Sequence, residues 1–177
     1  MRRIEPLTEY IVESKSREDL RGLANMLRNH LGLENTLWMP VVEILEILPE
    51  IFDDFSYEIV PDDELPESIH AETDVRTGHI RIKESIYERA CDGEGRDRMT
   101  IAHEIGHYFT LCYCGFKLQR SFGKDNVPRY QDPEWQAKCF AGEFMVAKHL
   151  TQGMTPDEIA KSCGVSFEAA DVQSRCR

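Results

Sequence analysis

The sequence predicts an α+β fold, mostly helical, with a small, mainly antiparallel sheet and a helical C-terminal tail. Three observations carry this. Capped helix starts followed by apolar residues at helical spacing recur along the chain. Strand-like runs are confined to one stretch, "FSYEIV" and "IHAETDVRTGHIRI". The last part, after Leu150, reads as two short capped helices around Gly164. At 177 residues the chain is long enough for one domain with a substantial core.

The elements follow in order. Ser16 and Asp19 form a capping box, and Leu20, Leu23, Ala24, Leu27 and Leu31 then keep helical spacing until Gly32. Pro40 suits a first helical position, and "VVEILEIL" is expected to be a helix stopped by Pro49. The two strands of "IHAETDVRTGHIRI" are joined by a turn near Thr77 and Gly78. "KESIYERA" is a short helix, "CDGEGRD" a loop, and "TIAHEIGHYFTL" a helix. "DPEW" starts another, with Asp132 as N-cap and Pro133 in the first turn, and it is expected to continue through "QAKCFAGEFMVAKHL". Thr155 with Glu158 repeats the capping box, and Ser166 caps the last helix. These elements divide the chain into a domain over residues 1–150 and a helical hairpin over residues 151–177, packed on it or contacting a partner.

Charge narrows the function. The formal net charge is −11, so the chain as a whole is poorly suited to a phosphate backbone. The first residues lack the apolar core of a signal peptide, and no apolar run is long enough to span a bilayer, so a cytoplasmic protein is expected. The six cysteines show no disulfide-framework spacing and are expected to be free thiols. Cys112 and Cys114 follow the histidine helix; buried structural thiols are the expectation, with redox sensing a minor alternative. No Lys or Arg occurs from Glu34 to Asp74, while acids are frequent. A solvated acidic face is the ordinary reading; a docking surface for a basic partner is the sharper one.

The chemistry is concentrated in "TIAHEIGHYFTL". His103 and His107 are four apart and share one face of a helix, so both imidazoles can reach one ion. Zinc accepts nitrogen and oxygen ligands in a tetrahedral shell. Glu104, beside the first histidine, can approach a water on that ion as a general base without being a ligand. H-E-x-x-H on a helix is the zincin metalloprotease pattern. The surrounding Met99, Ile101, Ala102, Ile105, Tyr108, Phe109 and Leu111 predict a buried helix, in which two histidines and a glutamate need partners. Gly106 is a poor helix former, which points to close approach by another segment. Thr110 and Tyr113 stand where a longer zinc motif would place Gly and His, so the third ligand must come from elsewhere. On the "DPEW" helix, Ala137, Phe140, Ala141, Phe144, Met145 and Lys148 form one stripe. Glu134 falls within it and points inward, so it is the expected third metal ligand; Glu143 is expected to point outward.

Three pieces in order resemble the ImmA/IrrE family of metallo-endopeptidases: "RMTIAHEIGHYFTL", "EWQAKCFAGEFMV" and "IAKSCGVSFEAADVQSR". The resemblance spans roughly residues 16 to 175. It implies a zincin-like fold, a Zn2+ site with His103, His107 and Glu134 as ligands, and Glu104 as the catalytic base. It also implies a protein substrate, usually a helix-turn-helix repressor. Lys138 and Val146 depart from the family pattern, which has Asn and Pro there, and bear on substrate preference. By analogy with zincins, "HIRI" is the candidate edge strand for an extended substrate. His149, Tyr113 and Tyr130 are the candidate donors to a transition-state oxyanion.

Two other classes compete. One is a metal-bound anti-repressor that acts by binding alone. The other is a DNA-binding helix-turn-helix in the tail, weakened because its second helix carries Glu168 and Asp171, with basic residues only at Arg175 and Arg177.

Overall fold

The computed structural model describes residues 10–113, 119–120 and 128–176. Strand β1 (Tyr10–Ile11) leads to α1 (Arg17–His30), which opens on the Ser16–Asp19 capping box and buries Leu20, Ala24 and Leu27. The next helix, α2 (Val41–Ile51), differs from expectation: Pro40 is its N-cap and Pro49 lies inside it. A proline in a helix interior costs about 3 kcal/mol. Burial of Val41, Val42, Ile44, Leu45 and Leu48 offsets that cost, and the Phe52 N–H still closes on the Leu48 carbonyl.

The main sheet contains β2 (Ser56–Val60), β3 (Ala71–Asp74) and β4 (His79–Lys83), in the order β2-β4-β3. β3 runs antiparallel to β4, whereas β2 runs parallel to it. Together with the antiparallel pair of β1 and β5 (Gln119–Arg120), two of the three pairings are antiparallel among the described residues. "HIRI" is therefore the central strand, not an edge. Ile80 and Ile82 are fully buried, as the middle of a helix-covered sheet requires, and β3 forms the edge beside the histidine helix.

α3 (Glu84–Cys91) follows, and α4 (Gly95–His107) starts earlier than the sequence suggests. Arg89 of α3 holds Asp97 at 2.7 Å, which fixes that first turn. After His107 the backbone widens into a π-helical segment, Tyr108–Tyr113. There the Thr110 hydroxyl donates to the Gly106 carbonyl at 2.8 Å, the type of back-bond that loosens a helix.

α5 (Pro133–Met145) begins as expected, with Asp132 accepting from the Glu134 N–H. It ends at Met145 rather than running to Leu150. The buried Arg28 guanidinium takes the free Phe144 carbonyl at 2.6 Å, satisfying a terminal acceptor that a longer helix would have used internally. α6 (Pro156–Cys163) carries the Thr155–Glu158 capping box and closes on Gly164 in the left-handed region, and α7 (Phe167–Arg175) is capped by Ser166. Ile159, Cys163, Val165 and Ala170 of this hairpin join the same core as α1, α2, α4 and α5.

Glu143 does not point outward. It is buried, and its carboxylate receives Arg17 at 2.9 Å and Arg21 at 2.8 Å, which clamps α1 onto α5. Replacing a buried, twice-paired carboxylate removes charge-assisted bonds and leaves two arginines under-used. Glu143→Gln is expected to lower unfolding stability by about 2 kcal/mol, measured from the urea midpoint. No helix among the described residues is long and apolar enough to cross a membrane.

Candidate metal centre

The helix α4 crosses α5 at Gly106, and this crossing builds the site. A Cβ at Gly106 would stand 2.8 Å from the Ala137 carbonyl oxygen and 3.2 Å from the Phe140 ring. The glycine therefore lets the two helices approach closely enough for one side chain on α5 to reach two on α4. Gly106→Ala gains about 1 kcal/mol of helix propensity but forces the helices apart, at about 1–3 kcal/mol. The expected net result is a less stable protein with weakened metal retention, read by urea titration and chelator competition.

Glu134 lies in the first turn of α5, where the helix dipole favours an anion and the Asp132 cap holds its backbone. His103 Nε2 and His107 Nε2 are 3.0 Å apart. Glu134 Oε2 lies 3.3 Å from His103 Nε2, and Oε1 lies 3.4 Å from His107 Nε2. Donors about 2.0–2.1 Å from a tetrahedral zinc are about 3.3–3.4 Å from one another. Two nitrogens and a carboxylate, with one donor atom from each within 4.8 Å of the others, could supply three corners of a zinc shell. Among the described residues, this is the group of three donors placed to hold a metal ion. His107 is buried with Nδ1 unpartnered among the described residues, so only Nε2 faces the cluster.

Electrostatics favours a cation here. Burial works to raise the Glu134 pKa, but contacts from both imidazoles hold its carboxyl well below the usual range. Burial likewise disfavours charge on His107, and the Glu134 and Glu104 carboxylates outweigh it, so its pKa is raised. Both shifts express one fact: the cluster attracts positive charge.

Glu104 is outside this triangle. It is buried, and its Oε2 accepts a hydrogen bond from the Thr73 hydroxyl at 2.7 Å. Thr73 sits on β3, so the edge strand and Glu104 are locked together. The sequence reading did not single out Thr73. The only signal was its alternation with Glu72 and Asp74, which places a hydroxyl on the face turned toward α4.

The other named residues are elsewhere. His149 Nε2 lies 3.0 Å from the Glu34 carbonyl oxygen, beyond the far end of α5. Tyr113 packs edge-on against Phe52, with ring centroids 5.2 Å apart, and against Phe109. Tyr130 is half exposed in the short 3-10 turn (Arg129–Gln131) before α5. Burial, reinforced by Asp54 and Asp74, pushes the Cys112 thiol up to about 12. That thiol stays protonated and donates to the Val75 carbonyl at 3.2 Å, so it is a packing group. Cys114 and Arg177 lie outside the described residues, and the five described cysteines are free. In the tail, Arg175 is exposed and pairs with Asp171 of the same helix at 2.6 Å.

A comparison with curated proteins finds no match. One similar solved structure is a Mycobacterium tuberculosis transcriptional regulator, 17% identical, with a TM-score of 0.54 over 86% of this chain and 45% of that one. The chain therefore spans less than half of that regulator's length, and the likeness is one of fold. The profile of a peptidase family described as the IrrE N-terminal-like domain matches residues 66–174. That stretch is more than half of the chain and runs from before β3 into α7, taking in both histidines, Glu104 and Glu134. The chain belongs to the IrrE N-terminal-like domain family.

Proposed function

We propose that the chain is a zinc-dependent endopeptidase that cuts a regulatory protein, in the first instance a helix-turn-helix repressor in the cytoplasm. The observation that carries this is the His103–His107–Glu134 triangle, with Glu104 held beside it by Thr73. Zinc bound there would polarise a peptide carbonyl and make a water acidic enough to be deprotonated near neutral pH.

The chain's own groups supply the rest. Thr73 occupies one oxygen of Glu104 and fixes its orientation, leaving the other oxygen for the attacking water. Glu104 takes that water's proton as the oxygen–carbon bond forms. It returns the proton to the amide nitrogen as the carbon–nitrogen bond breaks. β3, next to Glu104 and with no further strand on its outer side among the described residues, offers backbone groups to hold the substrate extended. Among the three candidate oxyanion donors, Tyr130 is the one retained, because it is on the turn that delivers Glu134.

The repressor as substrate rests on the family resemblance and on the transcriptional regulator with the similar fold. The test is to incubate the zinc-loaded protein with candidate repressors and read intact masses. Two fragments that sum to the substrate plus one water, absent with a chelator, support the reading. Intact repressor under all conditions contradicts it. Loss of repressor function without any cut would favour the binding-only reading.

A further inference from the structure

Within the stretch without Lys or Arg, α2 and β2 pack against each other. On α2, Glu43, Glu46, Ile47, Glu50 and Ile51 are exposed along one side. Ile47 and Ile51 retain 42% and 39% of their accessible area, unusual for isoleucine in a helix whose other face is fully buried. α2 packs along β2, and β2 pairs with β4 on one side and with no strand on the other among the described residues.

The register separates the two faces of β2. Tyr57 and Ile59 are partners of the buried Ile80 and Ile82, so they lie on the helix-covered face. Ile59 remains 36% exposed at the open edge. Ser56 and Glu58 are partners of His79 and Arg81 on the opposite, polar face. Acids bracket the strand: Asp53 and Asp54 before it, Asp62, Asp63 and Glu64 after it, all exposed. Arg81 neutralises Glu58 and Glu64. Glu43, Glu50, Asp53 and Asp63 have no ion-pair partner among the described residues.

An unpaired strand edge is a template for another strand. Here it is apolar on one face, polar on the other, and negative at both ends. We propose that the outer edge of β2, with the adjoining face of α2, binds an extended basic segment of a partner protein, one alternating Lys or Arg with aliphatic residues. Its backbone extends the sheet; its aliphatic residues cover Ile59 and the Ile47–Ile51 stripe; its basic residues meet the bracketing carboxylates. The surface reaches the metal helix, because Tyr108, next to His107, donates to Asp54 at 2.6 Å and packs against Phe52. This names the chemistry of the partner in the reading above, but binding here does not require cleavage.

The experiment follows backbone amide shifts of the Glu104→Gln protein, which cannot cut the probe, on titration with acetyl-(Lys-Val)3-Lys-amide. The control is the same peptide with Glu for Lys. The expected result is saturable shifts concentrated in residues 56–60 and α2, at about millimolar affinity or better, with no such response to the Glu peptide. Binding should weaken at least about threefold when NaCl rises from about 50 to about 300 mM. It should weaken about tenfold in Ile59→Lys, an exposed position where the substitution leaves the core untouched, and also in Asp53→Lys. Equal binding of the Glu peptide, shifts clustered away from β2 and α2, or no saturation by about 10 mM would overturn the proposal. The repressor-cleavage assay does not enter this measurement, so either idea can fail while the other stands.

Discussion

Glu104→Gln is expected to keep its metal and its fold while losing hydrolysis by a factor of about 10²–10⁴, the range that a positioned general base contributes. Glutamine has nearly the same shape, and its amide oxygen still accepts from the Thr73 hydroxyl that now holds Glu104. What it cannot do is take a proton. Because Glu104 is not one of the three donors that converge on each other, zinc content should match the unaltered protein. Steady-state cleavage beside elemental analysis checks both halves. A mutant that still cuts would place the base elsewhere. A mutant that loses zinc would make Glu104 a ligand, contrary to the geometry.

Glu134→Ala is the complementary change. It removes one corner of the shell and leaves two imidazole Nε2 atoms 3.0 Å apart with no anion between them. Zinc affinity is expected to fall by more than about 100-fold, since losing even an outer partner of a metal ligand costs about 10–100-fold. Folding should be largely unaffected by the side chain itself: Glu134 is partly exposed, and the Asp132 cap acts on the backbone. Chelator competition followed by a thermal melt separates the two effects. Metal loss with an intact melt of the metal-free form is the expected pair of results.

The parts of this molecule legible in its sequence are those set by neighbours in the chain. The caps at Ser16, Asp132, Thr155 and Ser166 depend on a side chain reaching an amide two or three residues away, and all four form. The shared face of His103 and His107 is likewise a property of helical spacing, and the apolar stripe of α5 was enough to bring Glu134 to them. The features that were not legible depend on distant partners. Helix α2 survives Pro49 because of what its other face buries. Helix α5 stops at Met145 because Arg28, from α1, takes a carbonyl there. Glu143 sits outside the stripe, yet α1 covers it and supplies two arginines. The place of "HIRI" in the middle of the sheet depends on a parallel pairing across a long connection, which alternation cannot report. Thr73 belongs to the same class: its importance comes only from the helix it faces.

The central claim is that this chain holds one catalytic metal ion between α4 and α5. The most direct measurement is the metal content of the purified, unaltered protein by elemental mass spectrometry after exchange into chelator-free buffer with zinc added back. The account predicts about one zinc per chain, as a single closed set of three protein donors requires. A protein that stays metal-free under those conditions would contradict it.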